Sequence, residues 1–170
     1  MMQQKKLLYL FIIFIFYFSN SIASENVAFI DLDYIFANST KGKKIISKLE
    51  KLDKSSKIEY DSREKLIIEL DKEINQKKNI MDKNELSTKI DNLKKMVNDL
   101  RLFKNNQTEI YNQKKNSELK IFFNEINPLI EEYMIKNSIS IIFDKKNIFL
   151  ANNNIDITEQ ILNIINKQIN

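Results

Sequence analysis

Apolar residues recur at helical spacing along most of this chain of 170 residues. The longest such stretch lies between the only glycine, Gly42, and the only proline, Pro128, so no residue inside it breaks a helix on backbone grounds. Because an α-helix rises about 1.5 Å per residue, a single helix of this length would far exceed a small globular core. The pattern therefore predicts a long helical hairpin that folds back once and projects from a smaller body.

Two helices are predicted in this stretch, at about 40–79 and about 83–136, with the turn near 78–84. Asp82 and Glu85 have the spacing of a capping box at the start of the second helix. The expected seam of the first helix, at near-heptad spacing, consists of Ile45, Leu49, Leu52, Ser56, Glu59, Arg63, Leu66, Leu70 and Ile74. The expected seam of the second consists of Leu86, Ile90, Leu93, Val97, Leu100, Phe103, Gln107, Ile110, Lys114 and Ser117. Both seams are polar in the middle, which predicts either arms that can bend or a structural arm with a loosely packed seam.

The segments on either side of this arm (42–128), at 24–41 and 129–170, are predicted to form a β-rich body, which makes the fold class α+β. Strand-forming residues lie at 27–32, at 139–144 and at 148–151. The last two runs are separated by a short polar turn, so they are expected to form a β-hairpin.

Helix starts in and near the body carry capping signals. Asp33 is the expected N-cap of a short helical turn, and Ser39 or Thr40 is the expected N-cap of the first long helix. Gly42, in the first turn of that helix, indicates close packing or a tight entry into the helix. Asp156 begins a second capping-box pattern ahead of a final amphipathic helix.

Three short strands and one small helix leave sheet edges open and bury little apolar area. Pairing of these edges between copies would close the sheet and complete the core, so the pattern predicts a homo-oligomer without fixing the copy number. The residues expected in the oligomer body are Val27, Phe29, Ile30, Ile139, Ile141, Phe143, Ile148 and Leu150.

The N-terminus has the three parts of a secretory signal peptide. Lys5 and Lys6 precede an unbroken apolar run at 7–18, and small residues precede an expected cleavage between Ala23 and Ser24. The alternative is an uncleaved membrane anchor, but the apolar run is shorter than the roughly 20 residues of a spanning helix. Signal peptide 1–23 therefore predicts export.

Charge and composition exclude several classes of function. Loss of Lys5 and Lys6 lowers the formal net charge from +4 to +2, which is too little to indicate nucleic-acid binding. The sequence contains no Cys and no His, so disulfides, the most common metal ligands and Ser/His or Cys/His catalytic sets are excluded. Asp31 and Asp33 could form a metal or acid pair, but a capping or solvated role is expected. We therefore predict no enzyme activity, no cofactor and no metal.

The order and spacing of these features resemble the Skp/OmpH family. The resemblance rests on the signal peptide, the strand at 27–32 with 34–36 after it, Gly42 opening a long charged helix, and the segments 127–130, 139–144 and 156–159. It implies a periplasmic chaperone that holds unfolded outer-membrane proteins in transit. It also implies a trimeric β-barrel body with three helical-hairpin arms around a cavity, working without ATP or a metal.

Three lysines cluster at the expected arm tip: Lys77, Lys78 and Lys83. They could contact anionic lipid headgroups, lipopolysaccharide or acidic clients, or they could only keep the tip solvated. The chain departs from the family pattern in one respect, because its net charge of +2 is modest for a family whose arm tips are often strongly basic.

The alternative to a holdase chaperone is a structural coiled-coil adaptor of the cell envelope that docks one fixed partner. A docking hairpin of that kind should have an uninterrupted heptad seam. The polar interruptions at Ser56, Glu59, Arg63, Gln107 and Lys114 favour the chaperone.

Overall fold

The computed structural model describes residues 26–169. The predicted signal peptide and the expected cleavage between Ala23 and Ser24 lie outside the described residues. Within the described part of the chain, no helix combines the length and apolar content that crossing a membrane requires.

The described chain is mostly helical, with one small sheet. Strand β1 (Asn26–Ile30) is followed by helices α1 (Leu32–Asn38), α2 (Thr40–Lys77) and α3 (Lys83–Lys136), strand β2 (Ile139–Asp144) and helix α4 (Thr158–Gln168). Two 3₁₀ turns, Lys145–Asn147 and Asn153–Ile155, lie between β2 and α4. The two long helices and the turn between them agree with the predicted bounds to within two residues.

Side-chain caps explain where three helices begin. The Asp31 carboxylate accepts the Tyr34 N–H at 2.8 Å, so Asp31 caps α1 and the prediction of Asp33 as the N-cap was wrong; Asp33 lies in the first turn. Of the two predicted caps of α2, Ser39 is the one used, since its hydroxyl accepts the Gly42 N–H at 3.0 Å. Asp82 caps α3 as predicted, since it accepts the N–H two residues later at 2.8 Å.

Helices α2 and α3 contact each other along most of their length. Side-chain contacts join Lys41 to Glu125, Lys48 to Glu118, Ser56 to Gln107, and Glu73 to Lys89. Partners that come later in α2 come earlier in α3, so the contacts run in reverse order along the two helices. We call α2, α3 and the turn between them the arm.

The main core lies where the base of the arm meets the small elements. Phe122 and Ile126 of α3 are fully buried, and the Phe122 ring packs edge-to-face on Phe36 with centroids 5.1 Å apart. The other buried members of this cluster are Ala28, Ile30, Ile35, Ile45, Leu49, Ile130, Ile157, Ile161, Leu162 and Ile165. The core therefore includes residues from the predicted arm range, 42–128, as well as from its flanks.

The sheet within the described residues has two parallel strands, β1 and β2. Val27 is paired with Ile141, and Phe29 with Phe143. The third strand predicted at 148–151, and with it the β-hairpin, is wrong for a single chain.

The path of the chain after β2 explains why this hairpin does not form. The backbone crosses to the other side of β1, where the Ile157 N–H donates to the Phe29 carbonyl at 3.0 Å and Asp156 forms a parallel bridge to Phe29. β1 is therefore flanked by β2 on one side and by residue 156 on the other. Residues 148–151 lead away from β2 instead of folding back on it.

Candidate functional site

The outward side of the sheet exposes large apolar side chains. Ile141 and Phe143 of β2 are exposed, whereas Ile142 between them packs against the core, as the two-residue alternation of a strand requires. After β2, Phe149 is fully exposed and Leu150 is 86% exposed. We call β2 together with residues 148–150 the open edge.

An apolar groove of about 530 Å³ lies beside the open edge. Ile130 and Met134 of α3 form one wall, and Ile142 and Phe143 of β2 form the other. Contiguous exposed apolar surface on a small protein usually marks a contact site. The groove and the open edge together form one apolar surface on the body.

The predicted body residues divide between the core and this surface. Phe29 and Ile30 are buried, and Ile139 and Ile148 are partly buried. The exposed members of the set are Val27, Ile141, Phe143 and Leu150. Their role in an oligomer stays a prediction.

Asp31 and Asp33 belong to no group of three or more possible metal ligands within residues 26–169. The backbone N–H of Asp31 donates to Thr158 Oγ1 at 2.9 Å, and the Thr158 N–H donates to Asp156 at 2.9 Å. The ammonium of Lys145 lies 3.7 Å from Asp31 and 4.0 Å from Asp156. Asp31 and Asp156 therefore connect α1, α4 and the turn after β2.

Halfway along the arm, the residues at the helix contact differ from the predicted seam. Tyr60 faces the partner helix instead of Glu59, Ile67 instead of Leu66, and Tyr111 instead of Ile110. The half-buried positions are four residues apart here, at 52, 56 and 60 in α2 and at 103, 107 and 111 in α3. A heptad repeat would instead require alternating spacings of three and four residues. Counting four-residue steps would have found both tyrosines.

These tyrosines line a cleft of about 490 Å³ between α2 and α3, which we call the mid-arm cleft. Phe103 is its third aromatic residue. A hydrogen bond of 2.7 Å from the Ser56 hydroxyl to the Gln107 side chain joins the two helices within it. The polar seam residues therefore pair with each other, and the space beside them stays open.

Arg63 lies next to the mid-arm cleft, and its charged side chain stays partly exposed to solvent. Its guanidinium lies 4.3 Å from the centroid of the Phe103 ring and donates to Glu59 at 2.8 Å. A cation over an aromatic face is attracted to its π-electrons. This contact explains how the seam accommodates an arginine.

Nearer the base of the arm, Glu118 is a nearly buried acid, with 7% of its surface exposed. Lys114 lies 3.1 Å and Lys48 3.8 Å from its carboxylate. The hydrogen bond from Lys114, helped by the charges of Lys48 and Lys114 and opposed by burial, lowers the pKa of Glu118 below its ordinary value of 4.5. The carboxylate is therefore charged at neutral pH and links α2 to α3.

The three predicted tip lysines differ in their surroundings. Lys77 lies 3.1 Å from Glu73, which also binds Lys89 at 3.0 Å, and these hydrogen bonds lower the pKa of Glu73. Lys78 and Lys83 form no ion pair within the described part of the chain. Ile80, in the turn between them, is 84% exposed.

Comparison with known proteins identifies the family. Residues 26–165 match the family model described as "Outer membrane protein (OmpH-like)". The chain belongs to the OmpH-like family. The match begins with β1 and ends within α4, so it covers both the body and the arm, and it confirms the resemblance predicted from the sequence.

A solved structure supports the fold of this OmpH-like chain. The crystal structure of a candidate outer membrane chaperone (OmpH-like) from Caulobacter crescentus CB15 matches with a TM-score of 0.75 over 85% of each chain. The two sequences are 17% identical, so this likeness shows the fold alone. No curated protein matches the sequence. Family membership supports a chaperone role in broad terms.

Proposed function

We propose that this OmpH-like protein is a periplasmic holdase that binds unfolded outer-membrane proteins without ATP and prevents their aggregation in transit. The observation that carries the proposal is the combination of a long, solvent-facing arm with an apolar open edge on the body. The arm offers a large surface for clients, and the open edge offers a means of assembling several arms.

The open edge supports assembly of copies into a shared body. β2 has one side paired with β1, and an unpaired strand side exposes backbone donors and acceptors to another chain. Residues 148–150 follow the 3₁₀ turn after β2 and carry exposed Phe149 and Leu150, which match the apolar groove in chemistry. We propose that these residues of each copy pair with the body of its neighbour. In line with the family, three copies would then form a β-barrel body.

In such a trimer, the three arms would act as antiparallel helical hairpins around a shared cavity. An unfolded outer-membrane barrel exposes alternating apolar strands that aggregate through their edges. Arms that are charged on most faces could hold such a chain by many weak contacts and exclude other chains. This mode of action requires no covalent chemistry, and with one glycine the sequence lacks a Gly-rich phosphate loop.

We propose that the arm tip also contacts an anionic surface, either a membrane or lipopolysaccharide. Lys78 and Lys83 are free of ion pairs within residues 26–169, and the exposed Ile80 lies between them. A basic cluster around an exposed apolar side chain suits an interface that is both anionic and apolar. Lys77 contributes less in this arrangement, because it already pairs with Glu73.

Light scattering tests the proposed function. The protein lacking residues 1–23 is purified, its molar mass is measured, and a urea-unfolded outer-membrane barrel protein is diluted into buffer with and without it. We expect a stable trimer that suppresses client aggregation in the absence of nucleotide. A monomer, or unchanged aggregation of the client, would contradict the proposal.

A further inference from the structure

The mid-arm cleft has walls suited to an aromatic guest. Tyr60 from α2 lines it on one side, and Phe103 and Tyr111 from α3 line it on the other. The volume of the cleft, about 490 Å³, is within the range of ligand pockets. Aromatic rings pack well against a further aromatic ring. The walls of the cleft therefore favour a flat apolar group over a hydrated one.

The ends of the cleft are held by packing on both sides. Toward the body, Tyr111 also packs against the main core, and toward the tip the Arg63 guanidinium covers the Phe103 ring at 4.3 Å from its centroid. Between these points, Ser56 and Gln107 fix the separation of the helices by their hydrogen bond. The space beside this bond is therefore maintained by the fold.

Two lysines and one acid line the rim of the cleft, and beside it the Tyr60 hydroxyl donates to Glu64 at 3.4 Å. Lys57 and Lys104 line it on opposite helices, with Asp53 as the only acid among its lining residues. Neither lysine forms an ion pair within the described chain, and within the same residues the Tyr111 hydroxyl has no hydrogen-bond partner. The rim can thus receive a negative group next to the aromatic guest.

We propose that the mid-arm cleft binds one aromatic side chain of an unfolded polypeptide whose neighbouring residue is acidic. The ring lies between Tyr60, Phe103 and Tyr111, and the carboxylate lies near Lys57 and Lys104. This inference rests on the proposed holdase function, because it specifies which client segments the arm selects. It places a defined contact between the two helices of one arm, separate from the cavity between arms.

The absence of tryptophan from this protein provides a direct probe. The peptide Gly-Ser-Trp-Asp-Ser-Gly is titrated with the purified protein, and its tryptophan emission reports burial of the ring. We expect a blue shift and binding about fivefold tighter than that of Gly-Ser-Trp-Lys-Ser-Gly, the effect of one partly exposed charge contact. Equal binding of the two peptides would overturn the proposal.

Two variants locate the binding. Reversing both rim charges, with Lys57→Glu and Lys104→Glu, should invert the preference toward the lysine peptide. Thr108→Phe places a ring in the cleft and should abolish the blue shift. Its matched control is Thr88→Phe, since the two threonine hydroxyls make the same bond to the carbonyl four residues earlier, at 3.0 and 2.8 Å, and Thr88 lies outside the cleft. Unchanged peptide binding by Thr108→Phe would overturn the proposal.

A further measurement distinguishes peptide binding from the binding of a small molecule, and tests the cleft separately from the holdase function. If 3-phenylpropionate binds as tightly as the acidic peptide, the cleft is a site for small aromatic anions and the peptide proposal is wrong. Client aggregation is measured in parallel on the unaltered protein. Suppressed aggregation with no peptide selectivity removes this inference alone, whereas selective peptide binding without suppression supports the cleft and contradicts the holdase.

Discussion

Gly42 lies against the backbone of Phe36 so closely that a Cβ at position 42 would come within 1.7 Å of the Phe36 carbonyl oxygen and 2.8 Å of Ser39 Oγ. The first contact is with backbone, which cannot rotate away. The junction between α1 and α2 therefore requires glycine, and this junction sets the direction in which the arm leaves the body.

Gly42→Ala should destabilise the protein although alanine is the better helix former. Propensity alone would stabilise the helix by roughly 0.5–1 kcal/mol, but overlap with the Phe36 carbonyl should outweigh this and lower the free energy of unfolding by about 2 kcal/mol. Urea unfolding at a fixed protein concentration measures the change. Ser55→Ala, at an exposed position of the same helix, is the control and should change stability little. A Gly42→Ala protein as stable as the unaltered one would contradict this account.

Ser39→Ala should also destabilise this junction. The Ser39 side chain is fully buried and accepts the Gly42 N–H, and loss of such an N-cap lowers the free energy of unfolding by about 1 kcal/mol. Thr40→Ala, one residue later and exposed, serves as the control in the same urea experiment. Equal effects of the two substitutions would show that the cap contributes nothing.

The pH dependence of arm stability should depend on Glu118. Its pKa is lowered in the folded protein by the Lys114 hydrogen bond and the neighbouring lysine charges. The charged carboxylate therefore stabilises the folded state more than the neutral carboxyl group does. The contribution is complete above the ordinary pKa of 4.5 and disappears as the pH falls through the lowered value.

Glu118→Gln should accordingly destabilise the protein at pH 7, with the difference shrinking below pH 4.5. Thermal unfolding followed by circular dichroism at several pH values measures this. Glu50→Gln, exposed on α2 and outside any ion pair of the described residues, is the control. A difference that stayed constant down to pH 3 would mean that the charge of Glu118 is not involved.

The open edge should be required for assembly. Phe149→Lys places a charge on a fully exposed side chain, so it should leave the fold of one chain intact while preventing its burial against a neighbour. We expect monomers by light scattering and loss of client protection. Ile68→Lys replaces an exposed apolar side chain on the outer part of the arm, away from the open edge, and should remain oligomeric. Unchanged molar mass for Phe149→Lys would exclude Phe149 from the interface.

The arm helices could be predicted closely because their signals are local and repeated. A long run without Gly or Pro favours helix throughout, and the N-caps Ser39 and Asp82 mark where the two helices begin. Asp31 and Asp33 both stand near the end of the predicted strand, where a cap of α1 is expected. Sequence alone does not show which carboxylate reaches the first free N–H.

The third strand and the middle of the seam could not be predicted in the same way. Strand formation at 148–151 requires a partner edge, and the chain instead crosses β1 through Ile157. A heptad seam does not include the tyrosines of the mid-arm cleft, because a helix of 3.6 residues per turn drifts relative to a repeat of seven residues. Pairing partners and helix register are properties of the whole packing, so local patterns leave them open.

Charge reversal at the arm tip should weaken binding to anionic membranes. Lys78→Glu with Lys83→Glu removes two cations that have no partner within residues 26–169 and places acids beside the surface. Each basic residue near an anionic membrane contributes about 1 kcal/mol, so we expect binding to phosphatidylglycerol vesicles at low salt to fall by at least tenfold in a sedimentation assay. Lys77→Glu alone should have a smaller effect, because Lys77 is paired with Glu73.

The control for the tip variants has the same net charge but leaves the tip unchanged. Lys51→Glu with Lys115→Glu reverses two exposed lysines that lie nearer the base of the arm and form no ion pair among the described residues. If vesicle binding depends on the tip, this variant should bind nearly as well as the unaltered protein. Equal losses in the two variants would show that overall charge governs membrane binding, and unchanged binding by the tip variant would exclude the tip as a membrane contact.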